Sequence, residues 1–206
     1  MPRRISRRRV SAGARQGSQR RYKKGWLLAG VGIALTLVVV LAVVFVGGNG
    51  GPSSAPNFTF SLYQGFNEVG GVRETTLSRL QGKPVVLNFW AALCPPCRAE
   101  MPEFQRFYEE FQDRVLLLGI DVGPFTGFGD GSHREAETLL RDLGITYPTG
   151  FTNDSGVTRK FRIIGMPTTV FINSSGEIFE KRTGGLNRAD LARVTGEMLK
   201  AEAASQ

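Results

Sequence analysis

Cysteine and histidine are the scarcest chemistry in this chain of 206 residues: two cysteines, Cys94 and Cys97, and one histidine, His133. Two cysteines cannot build a multi-disulfide scaffold, and they fall short of a Cys-only structural zinc site. Acid is missing altogether from residues 1–24, which carry ten Lys and Arg. Everything after them holds the other 16 basic residues and all 18 acids. The net charge of +8 therefore belongs to a basic tail, while the remainder is mildly acidic. A basic folded face, and with it a nucleic-acid partner, is excluded as the meaning of that charge. No internal repeat is evident. With 41% hydrophobic and 21% charged residues the composition is that of a chain that folds.

Directly after the tail runs Leu27–Val46, twenty residues without a charge and with only Thr36 polar. At ~1.5 Å per residue a helix of that length crosses the ~30 Å hydrocarbon core. Trp26 stands at its start, where an indole prefers the headgroup boundary. A cleaved signal peptide is the nearest competitor, but the run exceeds the ~7–15 residues of an ordinary signal core. The nearest small-x-small triplet, Ser53-Ser54-Ala55, is followed by Pro56, a poor residue after a cleavage site. A mitochondrial presequence, suggested by the Arg- and Ser-rich, acid-free tail, is a weaker reading; so is twin-arginine export, since Arg20-Arg21 lacks hydrophobic residues just after it. A retained single-pass anchor in the cell membrane is expected, with the bilayer as partner. The first positive residue beyond the run is Arg73, so the N-terminus is expected in the cytoplasm and the rest of the chain outside it. The resulting organisation is a basic tail over 1–24, an anchor over 25–46, a Gly/Ser/Pro linker over 47–57 and a folded domain over 58–203.

Within the domain, strand and helix patterns alternate. Phe58–Tyr63 reads as a short strand and Leu77–Leu80 as a helical turn or loop. Pro84–Trp90 and Val115–Val122 are near-continuous apolar runs, the pattern of strands covered on both faces. Pro96–Phe111 has apolar residues at helical spacing, His133–Leu143 is amphipathic and ends at Gly144, and Ser155–Phe161 reads as a short helix. Gly123–Ser132 is glycine-rich and expected as a loop. Thr168–Ile172 and Glu177–Thr183 flank the turn signal Asn173-Ser174-Ser175-Gly176, and Arg188–Ala203 closes as a helix. A β-α-β unit followed by a hairpin and a last helix predicts an α/β domain of three layers.

The two cysteines lie three residues apart, after a buried strand and at the start of a helix. Cys94 there meets the free N–H groups and positive dipole end of the helix, which stabilise a thiolate. Cys97, one turn further on, is placed to close a small disulfide ring and to resolve a mixed disulfide on Cys94. Pro95 and Pro96 lack N–H donors but suit a first helical turn. No further cofactor and no metal is called for.

The run Phe89-Trp90-Ala91-Ala92-Leu93-Cys94-Pro95-Pro96-Cys97-Arg98-Ala99-Glu100-Met101-Pro102 resembles the active-site segment of thioredoxin-fold proteins. It is most similar to the membrane-anchored thiol–disulfide oxidoreductases of the TlpA/ResA-like group. A second segment, Gly165-Met166-Pro167-Thr168-Thr169-Val170-Phe171-Ile172, resembles their cis-proline loop and the strand after it. The resemblance implies a thioredoxin-like three-layer fold, a central mixed sheet flanked by helices, behind one N-terminal transmembrane helix. It makes Cys94 the exposed nucleophile and Cys97 the buried resolving thiol. Pro167, in a cis peptide after Met166, faces the disulfide, and Met166 shapes contact with an extended substrate segment. Trp90 matches the aromatic residue four positions before the nucleophile and is expected at the substrate-binding surface. Pro102 matches the helix-kinking proline of the fold.

Two departures from thioredoxin matter. Asn88 stands where many thioredoxins have a buried aspartate, and an amide cannot exchange protons with Cys97. The TlpA/ResA-like group often places an acid three residues after the second cysteine instead, and Glu100 occupies that position. A partly desolvated carboxylate there tunes thiol ionisation and shuttles a proton.

The resemblance implies reduction of protein disulfides, with apocytochrome c before haem attachment as the expected substrate and a membrane thiol carrier of the CcdA/DsbD type as electron donor. Two alternatives on the same fold stay open. A peroxiredoxin usually has Thr three residues before its peroxidatic cysteine, where this chain has Ala91. A copper-delivery protein uses two thiols and a histidine, usually with C-x3-C spacing, and here its histidine is His133.

Overall fold

The computed structural model describes residues 53–129 and 133–205. The expected anchor and basic tail lie outside these residues, and no helix among the described residues is long and apolar enough to cross a membrane. Seven strands form one sheet: β1 (Thr59–Gln64), β2 (Glu74–Thr76), β3 (Val85–Trp90), β4 (Leu116–Asp121), β5 (Thr149–Phe151), β6 (Thr168–Ile172) and β7 (Ile178–Thr183). Their order is β2-β1-β5-β4-β3-β6-β7. The centre is parallel, β3 beside β4 beside β5, and the remaining pairings are antiparallel. The expected mixed sheet with flanking helices is therefore the one observed.

Why β3 and β4 occupy the middle follows from their composition. Every residue of both is buried, and a strand with two apolar faces has to be covered on both sides. Successive side chains of β3 alternate: Val86 and Trp90 join one core, and Val85, Leu87 and Phe89 the other. The first core packs against α1 (Pro95–Phe111), α3 (His133–Asp142) and α5 (Arg188–Ala204), through Met101, Phe104, Phe107, Leu139, Leu140, Leu191 and Met198. The second lies under thinner cover: the one-turn helix α4 (Val157–Lys160) and two 3-10 turns, Phe66–Val69 and Leu77–Leu80. The third layer of the expected sandwich is thus mostly single turns.

Three features differ from the sequence reading. The short strands β2 and β5 were not expected. They are three residues each and polar or glycine-containing, and pairing makes them strands: β2 with β1, and β5 with β1 on one side and β4 on the other. The glycine-rich stretch begins with a helical turn, α2 (Gly123–Thr126), rather than a plain loop. Its first N–H is taken by the Asp121 carboxylate at 2.8 Å, and Pro124 suits a first turn. Within the stretch expected as linker, residues 53–57 are fastened to the domain: Ile178 donates to Ser53 O and Ala55 to Gly176 O, both at 2.9 Å. Ser54 bridges Glu177 in antiparallel sense.

Candidate active site around Cys94 and Cys97

β3 delivers the chain to the site and α1 carries it away. After Trp90 the backbone turns through Ala91–Leu93, with Cys94 N donating to Ala91 O at 3.2 Å, and Cys94 becomes the N-cap of α1. Pro95 and Pro96 fill the positions where a helix has no carbonyl to give its N–H groups, so their missing donors cost nothing. Cys94 and Cys97 are joined as a disulfide with their Cα atoms 5.3 Å apart. The Cys97 N–H points at Cys94 Sγ, 3.4 Å away, so the helix end offers a donor to the sulfur that the resemblance makes the nucleophile.

The expectation that Cys94 is exposed is corrected. Its relative exposure is 1%, as buried as Cys97, and both belong to the core on the α1 side. The disulfide turns the Cys94 sulfur in toward the helix end. The loop before it is also tied sideways, since Leu93 N donates to Phe128 O at 3.1 Å.

Trp90 is corrected as well. It is wholly buried and packs in the α1-side core, so it has no surface to offer a substrate. Its position on the inward-facing set of β3, between Val86 and the turn, decides this. Gly119 on β4 makes room for it: a Cβ there would lie 3.1 Å from Trp90 Nε1, 2.9 Å from Thr149 Cγ2 and 3.2 Å from Tyr147 Cε2. Among the described residues, Trp90 Nε1 and Tyr147 Oη have no hydrogen-bond partner.

Met166–Pro167 is a cis peptide. The register of β6 against β3 pairs Thr168 with Phe89, which brings Pro167 alongside Trp90 at the end of β3 that leads into the cysteines. Pro167 O accepts from Gly184 N at 2.9 Å, and Thr168 Oγ1 donates to Gly165 O at 2.7 Å, so both flanks of the loop are held. Met166 is half-buried and packs against the core that contains both cysteines. Pro102 lies inside α1.

Glu100 is the unusual group. One turn beyond Cys97, it is 4% exposed and carries its carboxylate into the protein. Asn88 Nδ2 donates to Oε1 at 2.9 Å and the Leu186 N–H to Oε2 at 3.1 Å. Burial pushes its pKa up to about 7, against the opposing pull of these two donors. Asn88, which cannot itself exchange a proton, is thereby the residue that holds the carboxylate, and its Nδ2 also reaches Thr169 Oγ1 at 3.1 Å. The partners Asn88 and Leu186 carry no local sequence signal as a pair, being 12 residues before and 86 after Glu100.

A second polar group went unread in the sequence: Tyr63, Asp121 and His133. Tyr63 Oη lies 2.8 Å from His133 Nδ1 and 3.5 Å from Asp121 Oδ2, and the His133 ring stands over Phe151 with centroids 3.8 Å apart. The available signal was Asp121 itself, an acid closing an otherwise apolar strand. Among the described residues no group of three or more His, Cys, Asp or Glu is placed to hold a metal, so the two thiols and His133 of a copper carrier are not brought together. Ala91, at the position of the peroxiredoxin threonine, is wholly buried and has no hydroxyl to offer.

Residues 53–181 match the AhpC/TSA family. Among similar proteins are two named thiol-disulfide oxidoreductase ResA. The one from Oceanobacillus iheyensis is 36% identical over 111 residues, 53% of this chain and 54% of that protein. The one from Halalkalibacterium halodurans is 30% identical over 128 residues, 62% of this chain and 68% of that protein. The chain thus spans about half the length of the first and two thirds of the second. The solved structure of StoA from Bacillus subtilis superposes with a TM-score of 0.57 at 23% identity, covering 70% of this chain and 99% of that one, a likeness of fold. With its disulfide-forming CxxC pair at the head of α1 in a thioredoxin-like fold, and with relatives named thiol-disulfide oxidoreductases, the chain belongs to the AhpC/TSA family.

Proposed function

We propose that this protein is a membrane-anchored thiol–disulfide oxidoreductase whose catalytic domain faces outside the cytoplasm and reduces disulfides in exported proteins. The observation that carries it is the Cys94–Cys97 disulfide capping α1, with the buried carboxyl of Glu100 one turn beyond. Starting from the dithiol, the Cys94 thiolate attacks one sulfur of a substrate disulfide and expels the other as a thiolate. Cys97 then gives its proton to Glu100 and attacks Cys94 Sγ. The enzyme disulfide closes, the second substrate sulfur leaves and takes up a proton, and two electrons have passed to the substrate. A carboxyl with a pKa of about 7 is matched to that transfer near neutral pH. Met166 and the backbone before Pro167 receive the extended substrate segment.

Anchoring and orientation rest on the basic tail and the apolar run Leu27–Val46. The direction of electron flow, apocytochrome c as substrate and a CcdA/DsbD-type membrane carrier as donor rest on the resemblance to the TlpA/ResA-like group. Trapping tests the reading. Cys97→Ser in the full chain is expected to hold substrate proteins as mixed disulfides on Cys94, with a haem-binding CxxCH protein among them. Recovery of no partner would undercut substrate reduction, and partners without that motif would remove the cytochrome assignment.

A further inference from the structure

The stretch that joins β4 to α3, the insertion, is held at its two described ends, α2 and the first residue of α3, by a carboxylate outside the catalytic pair. Asp121, the last residue of β4, is 6% exposed and stands in register with Trp90 on β3 and Phe151 on β5. Its Oδ1 accepts the Gly123 N–H at 2.8 Å and so starts α2. Its Oδ2 faces Tyr63 Oη at 3.5 Å, and that phenol bonds His133 Nδ1, the first residue of α3, at 2.8 Å. The phenol has one proton. When His133 Nδ1–H donates to Tyr63, the phenol proton is free to point at Asp121. One buried carboxylate therefore addresses both ends of the insertion, Gly123 directly and His133 through Tyr63.

What the insertion touches is the loop ahead of the nucleophile. Phe128 O takes the Leu93 N–H at 3.1 Å. Gly123 is wedged at the same place: a Cβ on it would lie 3.0 Å from Asp121 Oδ1, 3.2 Å from Phe128 O and 3.4 Å from Ala91 Cβ. Gly129 closes on the Gly123 backbone, where its own Cβ would meet Gly123 Cα at 3.3 Å. Asp121, Gly123, Phe128 and the Ala91–Leu93 turn form one contiguous stack ending one residue before Cys94.

We propose that Asp121 is a positioning residue, which by fixing α2 holds the Ala91–Leu93 turn in the form that keeps Cys94 Sγ buried. This rests on the reading of Cys94 as the attacked sulfur. An incoming thiolate forms a bond to Cys94 Sγ and displaces Cys97 as the leaving thiolate, so Cys94 has to be uncovered first, and loosening the stack makes that opening easier.

The test is the rate of reduction of the full-length oxidised protein by dithiothreitol, with thermal unfolding as a control for folding. Asp121→Ala is expected to raise the rate constant by roughly tenfold to a hundredfold, the scale set by one lost hydrogen bond to a charged group. Asp121→Asn keeps an oxygen for the Gly123 N–H and is expected to stay within about twofold of wild type, a rescue that general destabilisation does not produce. Tyr63→Phe removes only the second arm and is expected to fall between the two. If Asp121→Ala does not fold, Tyr63→Phe and Gly123→Ala carry the test, the latter by pressing its new Cβ into the stack. Unchanged rates in the folded variants overturn the proposal. Mapping first alkylation on the reduced protein separates the two readings: modification of Cys97 before Cys94 refutes the nucleophile assignment, whereas Cys94 first with unchanged rates refutes the role of Asp121.

Discussion

Asn88 Nδ2 and Glu100 Oε1 lie 2.9 Å apart, joining the middle of β3 to the α1 turn that follows Cys97. The amide can hold this carboxyl in either protonation state but cannot take its proton, so of this pair only Glu100 titrates. That separation of holding from titrating has consequences for stability.

Glu100 is expected to make the protein less stable as pH rises. Its folded pKa of about 7 exceeds its ordinary 4.5, so the folded state binds more protons between those values. The contribution is complete below pH 4.5 and lost as pH passes 7, roughly 3 kcal/mol in all. Glu100→Gln removes this slope. It also leaves one of the two donors, Asn88 Nδ2 or the Leu186 N–H, facing an amide nitrogen, a cost of about 1–3 kcal/mol. The variant should be the less stable protein at pH 5 and should recover or overtake wild type at pH 8. Chemical unfolding at both pH values decides it, and parallel pH dependence in the two proteins would refute the assignment.

Trp90→Phe is expected to change stability and leave substrate affinity alone. The indole is wholly buried and its N–H has no partner among the described residues, so the smaller ring loses packing volume but removes an unsatisfied donor. A net loss under about 2 kcal/mol follows, below the ~3–5 kcal/mol of a truncation to alanine. Steady-state kinetics on a disulfide substrate should show an unchanged KM. A large rise in KM without a change in fold would return Trp90 to the binding surface.

Opening the disulfide should cost little stability. The ring closed by Cys94 and Cys97 is four residues long, and the entropy removed from the unfolded chain by so short a loop is worth about 2 kcal/mol. Unfolding of oxidised and reduced protein in denaturant should differ by no more than that. A reduced form that is unfolded in buffer would show that the disulfide, and not the two cores, holds the domain together.

The fold was legible where a single element declares itself. Thr168–Ile172 and Arg188–Ala204 lie where the β-period and the closing helical stretch put them, because their burial follows from composition along one short segment. The three-residue strands β2 and β5 were not legible, since they are extended through pairing with strands distant in sequence, β2 with β1 and β5 with both β1 and β4. The α2 turn was hidden for a similar reason: its first N–H is satisfied by Asp121, which the glycine-rich composition does not announce.

The sequence by itself determined that the two cysteines sit three apart at the junction of a buried strand and a proline-headed helix, and hence the kind of chemistry available. Spacing and helix entry are local properties, set by neighbouring residues. Only the tertiary structure decided that Cys94 is buried, that Trp90 faces the core and that Glu100 points inward to a pair of donors from distant segments. Burial and pKa depend on which remote groups exclude water from a site and which donate to it, and those partners are brought together by the packing of the sheet against α1, not by their order along the chain.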